Sequence, residues 1–276
     1  MDAANPRATT VDEYMNATAD FRTDLYTTEG TLLTHAQSIE LFRSLGRKMT
    51  PELKSPEVPM PFNGFSQQDY AQKLVDEYRA AGVPGRDVRA QSFNLDDVLF
   101  WVQYNADFGR QAVFLDGRNP VDLVNDPPPL AEFMDLKRQG VNIIAPPMPA
   151  LLRASGSRIL PSDYAERARI ADLDIISWTT ERSGRISEDV LNGGQGFYYG
   201  TTLDALQSDG DILRTIDVLA QDVGIIGLFS DWPATTTFYA NCMDVPQAPQ
   251  ARSNRGRDSH RDRDRNRDQR GAWWWR

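Results

Sequence analysis

From Thr34 onward, two kinds of stretch alternate: apolar residues at helical spacing, and short apolar runs of strand length. The helical stretches carry their own boundary signals. Thr34 and Gln37 form a T-x-x-Q capping box, Ile39, Leu41, Phe42 and Leu45 follow on one side, and Gly46 supplies a stop. Ser66 and Asp69 repeat the grammar ahead of Tyr70, Leu74, Tyr78 and Ala81, with Gly82 and Pro84 ending that helix. Asn94 and Asp97 are read as capping Leu95 to Gln103. A further helix runs from Leu130 to Gln139, after three prolines and before Gly140. Later ones begin at Ser162 and Asp211, the second covering Ile212 to Asp222 before Gly224.

Between them lie six candidate strands: Lys48 to Lys54, Val88 to Phe93, Gln111 to Leu115, Val141 to Ala145, Leu173 to Thr179 and Ile225 to Phe229. Strands alternating with helices imply parallel pairing through right-handed crossovers, hence an α/β sheet covered on both faces. A doubly wound sheet and a TIM barrel both fit that alternation. No G-x-G-x-x-G or Walker loop follows a strand, and Gly193, Gly194 and Gly196 do not lie between a strand and a helix. Polar residues gather instead at the C-terminal strand ends, where barrels keep their chemistry: Glu52 and Lys54, Gln91 and Asn94, Asp116, Trp178 and Glu181, and Asp231. Of these, Asn94 and Asp116 read as a helix cap and a turn.

Composition narrows the function classes. The 276 residues, 40% of them hydrophobic, suffice for a substantial core. A net charge of −9 argues against nucleic acid, which is bound through surplus Lys and Arg, and favours a small-molecule ligand. Cys242 is the one cysteine, which excludes an intrachain disulfide and a thiolate zinc site. The first twenty residues show neither a signal peptide nor an apolar anchor, and no membrane span is expected, so the sequence assigns no compartment. Residues 252–276 hold nine Arg and four Asp, a charge of +5 on a body of −14, and end in Trp273, Trp274 and Trp275. That composition predicts a disordered tail, its tryptophans without an evident partner and best read as a reading-frame extension. The expected organisation is an irregular segment 1–30, a barrel unit 31–245 and the tail 246–276.

The sharpest motif is KMTPELK, in which Glu52 and Lys54, two apart, share one face of a strand. A carboxylate and an ammonium at a barrel mouth can hold a hard cation and a phosphate together, although alone such a pair is more commonly a surface ion pair. Its companions add specificity. RTDLYTTEG through KMTPELK, then QSFNLDDVLFW, IISWTTERSG and GIIGLFSDWPATTTFYANC resemble, in matching order from Phe21 to Met243, the glycerophosphodiester phosphodiesterase family. The resemblance implies an α/β fold, a TIM barrel incomplete at its start with about six parallel strands. It also implies hydrolysis of glycerophosphodiesters to an alcohol and glycerol 3-phosphate with calcium or magnesium, in a family often periplasmic or secreted. Glu52 then matches a metal-ligand carboxylate, Lys54 a basic residue near the phosphate, Gln91 and Phe93 the pocket lining, and Trp178 a wall against the glycerol.

The family's H-R-G, E-x-D and H-D segments have no counterpart in this sequence, and its two histidines, His35 in a helix cap and His260 in the tail, match no catalytic position. His35 reads as a surface residue. Acid–base roles each contribute about 10²–10⁴-fold, so the chain is expected to be inactive alone, with no catalytic residue assigned and metal binding impaired. Two other expectations compete with a truncated enzyme. One is a non-catalytic module that binds a glycerophosphodiester. The other is a complementing part that regains activity with an N-terminal fragment, or self-associates through open sheet edges.

Overall fold

The structure is a computed structural model that describes residues 9–10, 31–191 and 196–243. The expected tail from 246, and all but residues 9–10 of the segment 1–30, lie outside the described residues. Five strands make one parallel sheet in the order β1 (Gln91–Ser92), β2 (Val113–Leu115), β3 (Ile143–Ala145), β6 (Asp174–Thr180) and β7 (Gly227–Ser230). Each falls inside or within one residue of a predicted run. The sixth run, Lys48 to Lys54, lies parallel to β1 through two isolated bridges, Met49 with Val88 and Glu52 with Gln91. Met49 N donates to Asp87 O, Arg89 N to Met49 O, Gln91 N to Pro51 O, and Leu53 N to Gln91 O. What the ladder lacks is a donor at Pro51, which has no N–H, and that gap splits the strand into bridges.

Outside the sheet are α1 (His35–Ser44), α2 (Gln67–Ala80), α3 (Leu95–Tyr104), α4 (Ala106–Gly109), α5 (Pro120–Asn125), α6 (Leu130–Arg138), α7 (Asp163–Ile170), α8 (Ile186–Leu191), α9 (Asp211–Asp217) and α10 (Pro233–Cys242). The capping boxes at Thr34 and Ser66 form with both reciprocal bonds, and Ser162 caps α7. After α9 a π-helical turn, Val218–Val223, ends at Gly224 with φ +75, a conformation glycine adopts without strain. Asp97 departs from the capping expectation. Asn94 caps α3 alone, and Asp97 turns inward to accept from Ser92 Oγ at 2.9 Å and Gln67 Nε2 at 2.8 Å. His35 is also not a plain surface residue: its Nδ1 lies 2.7 Å from Glu77 Oε2 and its ring packs edge-on against Tyr78, joining α1 to α2.

One element was not anticipated. Leu152–Ser155 (β4) and Arg158–Pro161 (β5) form an antiparallel hairpin turning at Gly156, φ +60, between β3 and α7. Its alternation is short, four residues on each strand.

The sheet is buried on both faces, as a parallel sheet under crossover helices must be. On the outer face Ala90, Ile144, Ile175 and Leu228 join Trp101, Phe133, Tyr164 and Leu219 from the helical layer. On the inner face Val113, Leu115, Ile143, Ala145 and Ile176 form a separate cluster. Among the described residues, no strand pairs with the outer side of Met49–Leu53 or of β7, which form the two edges of the described sheet.

Candidate functional site

Alternation along the first two strand runs decides which side chains reach the concave side. Met49 and Leu53, and Val88 and Ala90, belong to the outer core, so Glu52 and Lys54, and Arg89, Gln91 and Phe93, face inward. The bridge pairs Glu52 with Gln91, and the ladder carries that level across Val113, Ile143 and Asp174. Lys54 and Phe93 stand one step nearer the C-terminal mouth.

Phe93 and Trp178 lie on β1's C-terminal end and on β6, three strands apart, about 14 Å along a flat sheet. Their ring centroids are nevertheless 5.9 Å apart at 85°. The sheet therefore curls toward its inner face, as a barrel wall does, and the strands between them leave room. At Gly117 a Cβ would come within 3.0 Å of Phe93 Cδ1, and β3 offers only Ala145, whose carbonyl accepts from Trp178 Nε1 at 2.8 Å. The row continues through Tyr198, 6.1 Å from Trp178, to Phe197, 4.9 Å from Tyr198, both contacts edge to face. Burial pushes the Tyr198 hydroxyl up from its ordinary range. Phe93 and Phe197, half exposed at the two ends, present an aromatic wall to solvent.

Beside it sit the polar groups. Lys54 Nζ is 2.9 Å from Glu52 Oε1, the lysine exposed and the carboxylate partly covered. Gln91 is 4% exposed and its Oε1 has no hydrogen-bond partner, an orphaned acceptor on the inner face. Arg89, inside the predicted strand Val88 to Phe93 but not singled out among the site residues, is buried on the same face below Gln91. Burial pushes its guanidinium down to about 10, opposed by the charge of Asp174. Strict alternation from Gln91 would have placed it there.

The other mouth carboxylates are engaged locally. Asp231 takes a two-point contact from Arg182, and Glu181 accepts from Ser230 Oγ at 2.8 Å. Asp116 does make the anticipated turn, accepting from Arg118 N, but it is also buried. Burial pushes its carboxyl up, while Arg118 and the Tyr164 hydroxyl outweigh that and hold it below the usual aspartate range.

A calcium or magnesium ion takes six or more oxygens, usually from several carboxylates or carbonyls. Glu52 is already bound to Lys54, and among the described residues no group of three His, Cys, Asp or Glu is placed to hold a metal. The described residues therefore do not fit a divalent cation, and no chemistry is routed through one. What they bring together is the Glu52–Lys54 ion pair, the buried Gln91 amide and the aromatic contact of Phe93 with Trp178.

No family model matches the chain. A protein of Arthroderma benhamiae described as an extracellular protein is 49% identical over 248 residues, 89% of this chain and all of that one. The chain belongs to the family of that extracellular protein. Among solved structures it is similar to a glycerophosphodiester phosphodiesterase from Parabacteroides distasonis, with 15% identity, a TM-score of 0.46, and coverage of 75% of this chain and 64% of that one. It is also similar to a putative glycerophosphoryl diester phosphodiesterase from Silicibacter pomeroyi, with 12% identity, a TM-score of 0.47, and coverage of 76% and 56%. The chain thus spans less than two thirds of either solved protein. Among the described residues, no helix is long and apolar enough to cross a membrane.

Proposed function

We infer that this chain carries the C-terminal units of a phosphodiesterase-type barrel and binds the glycerol phosphate moiety of glycerophosphodiesters without cleaving them. The observation that supports this most is the Phe93–Trp178 contact over Gly117, because two residues that the sequence resemblance assigns to the glycerol pocket meet across three strands. Beside that wall the exposed Lys54 exchanges its pair with Glu52 for the phosphate, and the orphaned amide oxygen of Gln91 accepts from a glycerol hydroxyl. Cleavage would need a base for the nucleophile and an acid for the departing alkoxide. Among the described residues no histidine stands on the inner face, since His35 is committed between α1 and α2. The extracellular description of the Arthroderma relative supports a secreted setting.

Titration with sn-glycerol 3-phosphate tests the reading. Saturable binding that persists in EDTA and weakens in Trp178→Ala is expected. Absence of binding, or binding indifferent to Trp178, would overturn it. Complementation by an N-terminal fragment is a second reading, motivated by the edges of the described sheet at Met49–Leu53 and β7. It predicts turnover when a peptide carrying the family's H-R-G, E-x-D and H-D strands is added.

A further inference from the structure

Between Lys54 and α2 the chain makes a short apolar loop. From Val58 to Phe65, VPMPFNGF, no residue carries a charge. Phe62 and Phe65 stand opposite each other across a two-residue turn, each N–H donating to the other's carbonyl at 2.9 Å. Asn63 and Gly64 between them have φ +49 and +82, the left-handed pair that such a turn requires and that Asn-Gly supplies. The turn, with Pro59 and Pro61 before it, stiffens the backbone that carries these side chains.

The loop stands at the mouth. α2 begins directly after it, and Gln67 Nε2 donates to Asp97, which also accepts from Ser92 at the C-terminal end of β1. Other strand ends add apolar side chains there: Phe93 after β1, Phe197 beyond β6 and Trp232 after β7. Together with Val58, Phe62 and Phe65 these are 40% to 49% exposed. Single exposed apolar residues are ordinary, but six from four strand ends, gathered around the site of Lys54 and Trp178, mark an interaction surface. We propose that this rim seats the mouth on a zwitterionic phospholipid bilayer, with Phe62 and Phe65 entering the interface and the site turned to the headgroups.

The choice of a lipid partner rests on the reading of the mouth as a glycerol phosphate site. In a phospholipid that moiety lies at the boundary between the headgroups and the acyl chains, so a rim that brings the site to it must enter that boundary. Apolar and aromatic tips do so favourably, and indole and phenyl rings are suited to that depth. A stiff loop loses little freedom on insertion. With a net charge of −9 the chain gains no attraction from an anionic surface. Seating is therefore apolar in origin, which selects a zwitterionic bilayer and leaves the contact indifferent to salt.

Flotation of the full chain with phosphatidylcholine vesicles tests this, comparing the parent with a double variant, Phe62→Ser with Phe65→Ser, whose turn keeps its main-chain hydrogen bonds. The parent is expected to float equally at low and high salt. The double variant is expected to lose about 100-fold in partition, about tenfold per ring, with its melting and its affinity for sn-glycerol 3-phosphate unchanged. Val58→Ser, with a smaller loss, serves as a second rim variant should the double variant melt non-cooperatively. A parent that does not float, or floats only with anionic lipid at low salt, would overturn the proposal. So would flotation undiminished in the rim variants, or a dimer by sedimentation that the double variant dissolves, which would give the rim to a second copy. Flotation without binding of sn-glycerol 3-phosphate supports the rim and sinks the pocket reading alone; binding without flotation sinks the rim alone.

Discussion

Phe93 and Trp178, 85 residues apart in the chain, meet edge to face at 5.9 Å across the concave side of the sheet. Such contacts contribute about 0.5–1.5 kcal/mol beyond burial, so this one both reports the curl of the sheet and helps to hold it. It depends on the smallness of Gly117, over which the Phe93 ring lies.

Gly117→Ala is therefore a probe of the wall. A methyl 3.0 Å from Phe93 Cδ1 must displace the ring, while the backbone at 117 is not in the left-handed region and accepts alanine. Affinity for sn-glycerol 3-phosphate should fall while stability stays within about 1 kcal/mol of the parent, as loss of glycine entropy offsets the crowding. Unchanged affinity would show that the ring's position is irrelevant to the ligand.

Asp116 is the anchor of the loop after β2. Changing it to Ala leaves the Tyr164 hydroxyl buried without its acceptor and should cost about 1–3 kcal/mol in a denaturant titration. Its carboxyl is held below the ordinary aspartate range, so the stability it supplies is present at neutral pH. That contribution is lost as pH falls below about 4, the ordinary aspartate value, through the folded one. Tyr164→Phe should lose less than Asp116→Ala, because Arg118 remains.

Asp97 has the opposite sign. Burial raises its pKa, against hydrogen bonds from Gln67 and Ser92, so its charged form is disfavoured in the folded chain at neutral pH. Asp97→Asn, which can accept from Gln67 and donate to Ser92 Oγ, should stabilise the chain at pH 7. The gain should vanish in acid as the parent's carboxyl protonates in both states. A destabilised variant at every pH would mean that the charge itself is needed.

At the start of α2, Ser66→Ala removes the acceptor for Asp69 N and should cost about 1 kcal/mol, measured as a shift in the denaturation midpoint.

These cases also show what could be read from the sequence. Caps such as Ser66 and Thr34 were legible because their partners lie three residues away. The strand runs were legible because parallel strands between helices are apolar on both faces. Asp97 was misread because N-x-x-D looks like a capping box, whereas the deciding partners, Gln67 and Ser92, come from other elements. Pro51 could have warned that the first strand would be broken. The hairpin of β4 and β5 has strands of only four residues, too short for their alternation to stand out, and the inward face of Arg89 follows from the alternation of its strand once Gln91 is placed. At the candidate site the residue types were visible as motifs. That Phe93 reaches Trp178, or that Lys54 neutralises Glu52, depends on sheet curvature and side-chain placement, which no local pattern encodes.

The proposed function is binding of a glycerophosphodiester without turnover. The most direct measurement is release of choline from glycerophosphocholine by the purified chain in saturating calcium or magnesium, beside Glu52→Ala. Equal rates are expected for the two proteins, both at the background level, since among the described residues no histidine stands at the inner face to move protons. Metal-dependent release by the unaided chain, abolished by Glu52→Ala, would contradict it and place a proton-transfer role on an inner-face or mouth carboxylate.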